Sequence, residues 1–333
     1  MPENCNLEDV EHIKQFVDIP VVAAGRLDPR VAADAIAAGK LDGAGFARQF
    51  LADQAWVTKL IEGRPEDIRP CILCHNGCFN MCHYKGVPND QELTDSLGLS
   101  RCAVNAETMQ WKKHRIVKTS APKTVHIVGG GIGGMETARV LKLRGHEPVI
   151  HERSGELGGT FIAASAESYK GKLRDLLAWY RRQMDELGIE VRLNDEVRDV
   201  AALGAGPVVV ATGAHPKVMR SVPGHELMVE ACDYLTGTPV GDRVVVVGGG
   251  LTGCEIAYEL ALQGKHPVIV EMKDDLIAQT GVCLANSSYL REWFALHEVP
   301  VHLEATLAEV RSDAVACRAK DGSTFEIPCD SVI

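Results

Sequence analysis

The sequence predicts an α/β protein built from repeated strand, turn, helix and strand units. The run "KTVHIVGGGIGGMETARVLKLRGHEPVIHER" has this order, and "DRVVVVGGGLTGCEIAYELALQGKHPVIVEM" repeats it further along the chain. A third observation is an alternation of strands and helices near the start, in "IPVVAAGRL", "DPRVAADAIAAGK", "LDGAGFAR" and "QAWVTKLIEGR". Such alternation is typical of a parallel sheet covered by helices.

The composition excludes several classes of partner. The chain has 333 residues, 46% of them hydrophobic, and 35 Lys and Arg against 45 Asp and Glu give a net charge of −10. No basic patch offsets this charge, so neither a nucleic-acid partner nor an anionic membrane surface is expected. No apolar run approaches the roughly 20 residues that span a bilayer, and no signal peptide is apparent. We therefore expect a cytoplasmic protein with reduced thiols.

The chain divides into four predicted segments. Residues 1–63 carry the early alternation, in which Asp28 is a helix N-cap, Pro29 takes the first helical position and Gly39 follows the helix end. Residues 64–118 have little periodicity and carry clustered cysteines. A loop-rich stretch of this length needs something to organise it, and a bound metal cluster would do so. Residues 119–238 and 239–333 hold the two repeated units.

Both repeated units contain the glycine fingerprint of a Rossmann-like dinucleotide-binding domain. Their candidate residues are Gly129, Gly131, Gly134 and Glu152 in the first, and Gly248, Gly250, Gly253 and Glu271 in the second. The first glycine turns the chain, the second lets the backbone approach a pyrophosphate, and the third lets helix and strand pack closely. The helix N-terminus binds phosphate and the acid binds ribose hydroxyls. One such motif is a weak signal, but two in the same context indicate two dinucleotide sites.

Two further motifs suggest which dinucleotides bind. "ERSGELGG" at residues 152–159 resembles the FAD-binding turn of two-dinucleotide flavoproteins, and "VVVATGA" at residues 208–214 resembles their ATG strand. This resemblance adds five cofactor-binding candidates, which are Arg153, Gly159, Ala211, Thr212 and Gly213. In the second unit Met272 follows Glu271, with no Arg nearby to pair a 2′-phosphate, so NADH is favoured over NADPH. Lys265 and Lys273 are the residues that could reverse this preference.

The stretch "RPCILCHNGCFNMC" at residues 69–82 raises the question of what its cysteines hold. A disulfide is disfavoured in a reducing compartment. A c-type haem would fit "CILCH", but it needs export and leaves Cys78 and Cys102 unexplained. Four cysteines also suit tetrahedral zinc.

Three close thiolates and one distant thiolate are typical of an iron–sulfur cluster, which we rank above zinc beside two dinucleotide units. The predicted ligands are Cys71, Cys74, Cys78 and Cys102. Cys82 is the second choice for the fourth ligand, and His75 is expected to be a neighbour of the ligands rather than a ligand.

The order of these motifs resembles a known family over essentially the whole chain. "DIRPCILCHNGC", "RCAVNAET" and "IVGGGIGGMETA" together resemble the iron–sulfur flavoenzymes of the 2-enoate reductase and 2,4-dienoyl-CoA reductase family, relatives of old yellow enzyme and trimethylamine dehydrogenase. The resemblance implies an FMN-containing TIM barrel that reduces an activated C=C bond. It implies that electrons pass from NAD(P)H through FAD and a [4Fe-4S] cluster to the FMN.

The resemblance also gives residues 1–63 a role, as the last two βα units of that barrel. Gly25 and Arg26 match the family's Gly-Arg at the FMN phosphate, and Ala47 and Arg48 lie where a second Gly-Arg is usual. Ala47 departs from the pattern, since alanine lacks the backbone freedom of glycine.

The first six barrel strands are missing relative to the family, and with them its substrate pocket and proton donor. Residues 329–333 resemble the start of a strand that returns to the FAD domain. Two strands cannot close a barrel, and their edges would be exposed. The resemblance therefore implies an internal fragment of a longer enzyme, and a partner chain that supplies the rest is the alternative.

The sequence suggests four candidate functions. The first is the reductase, acting on a small molecule with an activated double bond, with a homo-oligomer left open. The second is a dithiol reductase, which is rejected because no suitable cysteine pair follows "ELGG". The third is an electron-transfer subunit, against which the barrel remnant argues, and the fourth is a non-functional truncated product.

Overall fold

The computed structural model describes residues 3–80, 100–279 and 281–333. Its N-terminal region contains two short parallel strands, β1 (Val22–Ala24) and β2 (Gly43–Gly45). The helices of this region are Leu7–Lys14, Pro29–Ala37, Arg48–Ala52 and Trp56–Ile61. The Asp28 side chain accepts hydrogen bonds from the backbone N–H groups of Arg30 and Val31, as the N-cap prediction requires.

The first and third of these helices are not predicted by the sequence pattern. Leu7–Lys14 buries no residue, and Arg48–Ala52 has five residues and no side-chain cap. A helix without a periodic apolar face or a capping residue leaves little signal in the sequence.

The first dinucleotide-type unit, hereafter the first unit, is a parallel sheet in the order β5-β4-β3-β6. Its strands are β3 (Thr124–Val128), β4 (Glu147–Glu152), β5 (Glu190–Leu193) and β6 (Val208–Val210). Helices Ile132–Leu143 and Gly171–Glu186 bury their apolar faces against it, with Ile127, Ile150, Met135 and Trp179 in the shared core. The short helix Phe161–Ala164 follows the glycine pair at residues 158–159.

The second dinucleotide-type unit, hereafter the second unit, is a parallel sheet in the order β13-β7-β8-β9. Its strands are β7 (Arg243–Val247), β8 (His266–Val270), β9 (Val301–His302) and β13 (Ser331–Val332). Helices Leu251–Leu262 and Leu284–Leu296 pack on this sheet. Strand β13 pairs in parallel with β7, so it belongs to the second sheet. The expectation that residues 329–333 begin a return to the first unit stays a prediction.

An antiparallel sheet interrupts the second unit and is not predicted by the sequence pattern. It consists of β10 (Ala305–Val310), β11 (Ala314–Ala319) and β12 (Thr324–Pro328) in that order. Val315 and Cys317 are its fully buried residues, and they pack against Val245 and Val270 of the second sheet.

Between the N-terminal region and the first unit, the described part of residues 64–118 contains a 3₁₀ turn at Pro65–Asp67 and helix Trp111–His114. Further short elements are helix Ala231–Leu235 and the 3₁₀ turns Val200–Leu203 and His225–Leu227. Among the described residues, no helix has the length and apolar character that crossing a membrane requires.

Candidate functional site

The first glycine loop is shaped partly by the fold itself. Gly129 has a φ of +110°, and a Cβ at this position would lie 2.3 Å from the carbonyl oxygen of Ala211. A Cβ on Gly134 would lie 1.9 Å from the carbonyl oxygen of Gly129. Both glycines are therefore required by backbone packing, with or without a ligand.

The middle glycine of each motif is different. Gly131 has an ordinary φ of −72°, and a Cβ on it would meet only the carbonyl oxygen of Gly158, at 3.9 Å. Gly250 has a φ of −69°, and its Cβ would meet the side-chain oxygen of Gln279 at 3.4 Å. Neither backbone conformation nor crowding by the described residues requires glycine at these two positions. An outside group that approaches the backbone closely does account for them, and a pyrophosphate is such a group.

The acid of each motif accepts hydrogen bonds from the backbone of its own glycine loop. Glu152 is buried, and its two carboxylate oxygens accept hydrogen bonds from the N–H of Gly130 at 2.7 Å and the N–H of Ser154 at 2.8 Å. Burial raises the pKa of Glu152, but the hydrogen bonds from Ser154 and Gly130 outweigh it and leave the pKa below its ordinary value. A carboxylate has about four lone-pair sites, so it can still accept ribose hydroxyls.

Glu271 repeats this arrangement in the second unit. It accepts from the N–H of Gly249 at 2.5 Å and from the N–H of Lys273 at 2.8 Å. Gly248 has a φ of +107°, and a Cβ on Gly253 would lie 1.8 Å from the carbonyl oxygen of Gly248. The backbone requirements of the two loops are therefore the same at their third glycine.

A cavity of ≈ 490 Å³ lies along the first glycine loop. The predicted residues that line it are Gly129, Gly131, Glu152, Arg153, Gly159, Ala211, Thr212 and Gly213. Gly134 lies buried in the helix behind the loop. The structure therefore brings the predicted FAD-binding residues together at one cavity.

Two residues of this cavity, His151 and Asp195, are not predicted by the sequence pattern. The ring of His151 is buried, and its Nδ1 lies 2.7 Å from a carboxylate oxygen of Asp195. The other ring nitrogen lies 2.9 Å from Nδ1 of His126. The position of His151 directly before Glu152 was the available signal, but the pairing with Asp195 depends on a contact 44 residues away.

The two lysines that could favour NADPH lie in different places. Lys265 precedes β8, and its ammonium group donates to the carbonyl oxygens of Val240 and Gly241. This is the opposite end of β8 from Glu271, so Lys265 is held away from the predicted ribose site. Lys273 lies two residues beyond Glu271 and donates its backbone N–H to that acid.

The predicted metal ligands Cys71, Cys74, Cys78 and Cys102 line a single small cavity. His75 also lines it, as a neighbour, and its Nε2 contacts a guanidinium nitrogen of Arg48. Cys82, the second choice for the fourth ligand, lies outside the described residues.

Whether the thiols of this cavity ionise depends on the charged groups close to them. Burial raises the pKa of Cys71, Cys74 and Cys102. Ionised thiols would therefore need positive charge close by, which a bound metal group supplies. Within the described ranges, no three His, Cys, Asp or Glu side chains are grouped so that they could hold a single metal ion.

The backbone of this segment is fixed by the N-terminal region. The side chain of Gln49 donates to the carbonyl oxygen of Arg69 at 2.8 Å and accepts from the N–H of Cys71 at 3.0 Å. On the other side, the Arg69 guanidinium lies 4.8 Å from the ring centre of Trp179 in the first unit. The cysteine segment is thus anchored to two parts of the molecule.

A second cavity, of ≈ 510 Å³, lies in the N-terminal region and is lined by all four predicted phosphate-site residues, Gly25, Arg26, Ala47 and Arg48. Gly25 has a φ of +123°, a conformation that favours glycine. Ala47 has a φ of −117°, which alanine adopts readily, so its departure from glycine costs no backbone strain. Cys71 also lines this cavity.

A third cavity, of ≈ 750 Å³, lies between the two units and the cysteine segment. Its lining includes Tyr169 and Lys170 from the first unit, Leu251 from the second and Cys74 from the cysteine segment. Leu251 begins the helix that follows the second glycine loop, and Asn286 of the second unit donates to the carbonyl oxygen of Cys74 at 3.2 Å.

Comparison with known proteins identifies the architecture. Residues 125–333 match the family described as pyridine nucleotide-disulphide oxidoreductase. The chain belongs to this family. The prediction of an α/β oxidoreductase with pyridine nucleotide and flavin binding is thereby confirmed at this coarse level.

Individual relatives are similar over nearly all of the chain. It is 32% identical over 328 residues to the cinnamate reductase of Clostridium sporogenes, covering 97% of this chain and 47% of the relative. It is 31% identical over 329 residues to the bilirubin reductase of Mediterraneibacter gnavus, covering 97% and 49%.

The solved structure of a 2-naphthoyl-CoA reductase complex matches with a TM-score of 0.85 and 27% identity, covering 100% of this chain and 49% of that one. The histamine dehydrogenase of Rhizobium sp. 4-9 matches with a TM-score of 0.80 and 25% identity, covering 99% and 50%. The chain thus spans about half the length of these four proteins.

Proposed function

We propose that this chain is the electron-delivery part of an NADH-dependent oxidoreductase that reduces an activated C=C bond, of the enoate or enoyl-CoA type. In this proposal FAD binds along the first glycine loop and NADH along the second. A [4Fe-4S] cluster binds at Cys71, Cys74, Cys78 and Cys102, and FMN binds in the N-terminal cavity of the complete enzyme. Together these groups would supply two-electron transfer from NADH and one-electron transfer onward to the FMN.

The observation that carries the proposal is that the cysteine cavity shares its walls with two others. Cys71 and Arg48 line both the cysteine cavity and the N-terminal cavity. Ile72 and Cys74 line both the cysteine cavity and the cavity between the units. Four consecutive residues, 71–74, therefore contact all three cavities. A cluster held by these cysteines would lie beside the FMN cavity of this proposal and beside the cavity between the two units.

The protein's own groups bind and orient the dinucleotides. Each glycine loop leads into a helix of 12 residues, Ile132–Leu143 and Leu251–Leu262, whose free N–H groups and positive end attract a pyrophosphate. The absent Cβ atoms of the middle glycines leave room for it. Glu152 and Glu271, already held by backbone N–H groups, present their remaining lone pairs to ribose hydroxyls.

We rank a cluster above zinc for the cysteine cavity because the chain also carries two dinucleotide-type units, beside which a redox group has a use. Zinc would need four sulfur ligands about 2.3 Å from one point. A cluster would place several metal atoms between the thiolates.

The relatives agree with a reductase of this kind. The cinnamate reductase and the 2-naphthoyl-CoA reductase are named for an unsaturated acid and an aromatic thioester. For the present chain we propose the shared class, a small molecule whose double bond is activated by a carboxyl or thioester group.

A cofactor count on anaerobically purified protein tests the proposal. We expect FAD together with about four iron and four sulfide per chain, as a single cubane cluster requires. FMN in addition would indicate that the N-terminal cavity is completed by further protein. Zinc in place of iron, or protein without FAD after reconstitution, would contradict the proposal.

A further inference from the structure

A loop of the first unit contacts the second unit through one largely buried lysine side chain, that of Lys170. Residues 165–170, here named the bridging loop, run from helix Phe161–Ala164 to helix Gly171–Glu186 of the first unit. The Lys170 ammonium group lies 2.8 Å from a carboxylate oxygen of Glu255 in the second unit. The same group lies 3.1 Å from a carboxylate oxygen of Glu167 in its own loop.

Lys170 supplies the positive counter-charge for the buried carboxylate of Glu167. Its side chain is 1% exposed, against 14% for Lys170 and 22% for Glu255. Apart from the ion pair with Lys170, its carboxylate oxygens have no hydrogen-bond partner among the described residues. A buried carboxylate without a counter-charge is strongly destabilising, and Glu255 would add a second negative charge nearby.

The bridging loop is rigid on its own side of the interface. The Arg174 guanidinium donates to the carbonyl oxygens of Ser165 at 2.6 Å and Glu167 at 2.8 Å. It also donates to the carbonyl oxygen of Ser168 at 3.1 Å. Arg174 belongs to helix Gly171–Glu186, so the loop is fixed to the body of the first unit. A contact between this loop and the second unit therefore also fixes the position of the second unit relative to the first.

The bridging loop meets the second unit on the helix that follows the second glycine motif. Besides the Lys170 ion pair, the Ser168 hydroxyl donates to Glu259 at 2.8 Å, and the rings of Tyr169 and Tyr258 meet edge to face at 5.3 Å. Residues 160 and 162, shortly before the bridging loop, line the cavity along the first glycine loop, hereafter the first cofactor cavity. The bridging loop therefore connects the wall of that cavity to helix Leu251–Leu262.

From this geometry we propose that Lys170 is a positioning residue for hydride transfer, which holds the second unit so that NADH bound there reaches the flavin of the first. This inference rests on the proposed function. The step moves one hydride, two electrons and a proton, from NADH to oxidised FAD, and gives NAD⁺ and the FADH⁻ anion. Lys170 and Glu255 both line the cavity between the units, which is also lined by Leu251 at the start of the helix after the second glycine loop.

The test is anaerobic stopped-flow reduction of the bound flavin by NADH in Lys170→Met, Lys170→Arg and Glu255→Gln. We expect Lys170→Met to lower the limiting reduction rate about 10- to 100-fold, because misplacement of about 1 Å has that effect on reacting groups. The Kd for NADH should change little, because the ion pairs of Lys170 do not involve the second glycine loop. Lys170→Arg should restore most of the rate, and Glu255→Gln should reproduce part of the loss.

Two controls separate a positioning role from general destabilisation and from loss of the flavin. Lys142→Met removes an ion pair with Glu147 that stays within the first unit, and it should leave the rate unchanged. The flavin spectrum of each variant after gel filtration shows whether the flavin is bound, and dithionite should reduce that flavin in every variant.

Three results would contradict the proposals, and they do so in different ways. A native protein whose flavin NADH does not reduce would refute the proposed function. A native protein that is reduced, with Lys170→Met and Glu255→Gln equally fast, would refute the positioning role alone. Loss of flavin from Lys170→Met with a normal rate in Glu255→Gln would also overturn it.

Discussion

The N–H of Gly130 donates a hydrogen bond to the carboxylate of Glu152 at 2.7 Å, so the acid that follows the motif holds the loop that precedes it. The same carboxylate also accepts from Ser154, which places two backbone segments under the control of one side chain. The stability of the loop therefore depends on Glu152, and in our proposal FAD binding depends on the same side chain.

This coupling predicts an acid-sensitive first unit. Because hydrogen bonds hold the folded-state pKa of Glu152 below 4.5, its ionised form contributes stability above that pH, which is lost as pH falls through the folded pKa. Glu152→Gln keeps one acceptor and should lower the free energy of unfolding at pH 7 by about 1–3 kcal/mol. The variant should also flatten the pH dependence of the free energy of unfolding below pH 4.5, measured by urea unfolding from pH 7 down to pH 3. An unchanged acid profile would show that Glu152 is not the titrating group.

Glu271 should set the choice between the two nicotinamide cofactors. Glu271→Ala removes the proposed acceptor for ribose hydroxyls, so NADH binding should weaken about tenfold or more and NADPH binding less. Isothermal titration of both cofactors measures the difference. Glu292→Ala, which removes an exposed carboxylate on helix Leu284–Leu296, is the control and should leave both affinities unchanged. An equal loss for NADH and NADPH would remove the predicted preference.

Substitutions at Gly131 and Gly134 should impair the protein for different reasons. Gly131→Val places its side chain where the protein leaves space, so the chain should fold but lose most of its FAD. Gly134→Ala drives a Cβ into the carbonyl of Gly129 and should cost about 3 kcal/mol or more before any cofactor is added. Thermal unfolding and the flavin spectrum separate the two effects.

The neighbouring Gly133 is the matched control for both variants. No atom outside its neighbours lies within 4 Å of a Cβ there. Gly133→Ala should therefore bind FAD, and its free energy of unfolding should rise by up to about 1 kcal/mol. A normal flavin spectrum for Gly131→Val would refute the role of that glycine.

Cys74 should be needed for the cluster and not for the flavin. Cys74→Ser should abolish the visible absorbance of the cluster after anaerobic reconstitution while FAD stays bound, since no cysteine is among the described residues that line the first cofactor cavity. Cys232→Ser lies on helix Ala231–Leu235, away from the four-cysteine cavity, and should keep a normal cluster. Iron and sulfide assays decide, and full retention of both in Cys74→Ser would remove it from the ligand set.

Features that depend on residues close together in the sequence could be predicted. Asp28 and Pro29 marked a helix start because capping is a local interaction, and the glycine loops were recognisable because each glycine has its own backbone requirement. The four cysteines were recognised by spacing, and the structure places them at one cavity.

Features that depend on distant contacts could not be predicted. The ion pair of Lys170 with Glu255 joins residues 85 positions apart, and the pairing of His151 with Asp195 spans 44. The sheet β10-β11-β12 was also missed, because its buried residues are covered by strands of another sheet rather than marked by a local pattern. Tertiary packing decides such cases, and a linear pattern carries little of that information.

The near-identity of the two glycine loops gives the molecule an internal replicate. A hypothetical Cβ on Gly134 or Gly253 meets the corresponding carbonyl of its own loop at 1.9 Å or 1.8 Å, so a saturation mutagenesis scan should give the two positions matching tolerance profiles. Gly131 and Gly250 are free of such close contacts, so their profiles should follow whichever dinucleotide each unit binds. Divergence at the second pair together with agreement at the first would separate selection for cofactor from selection for fold within a single gene.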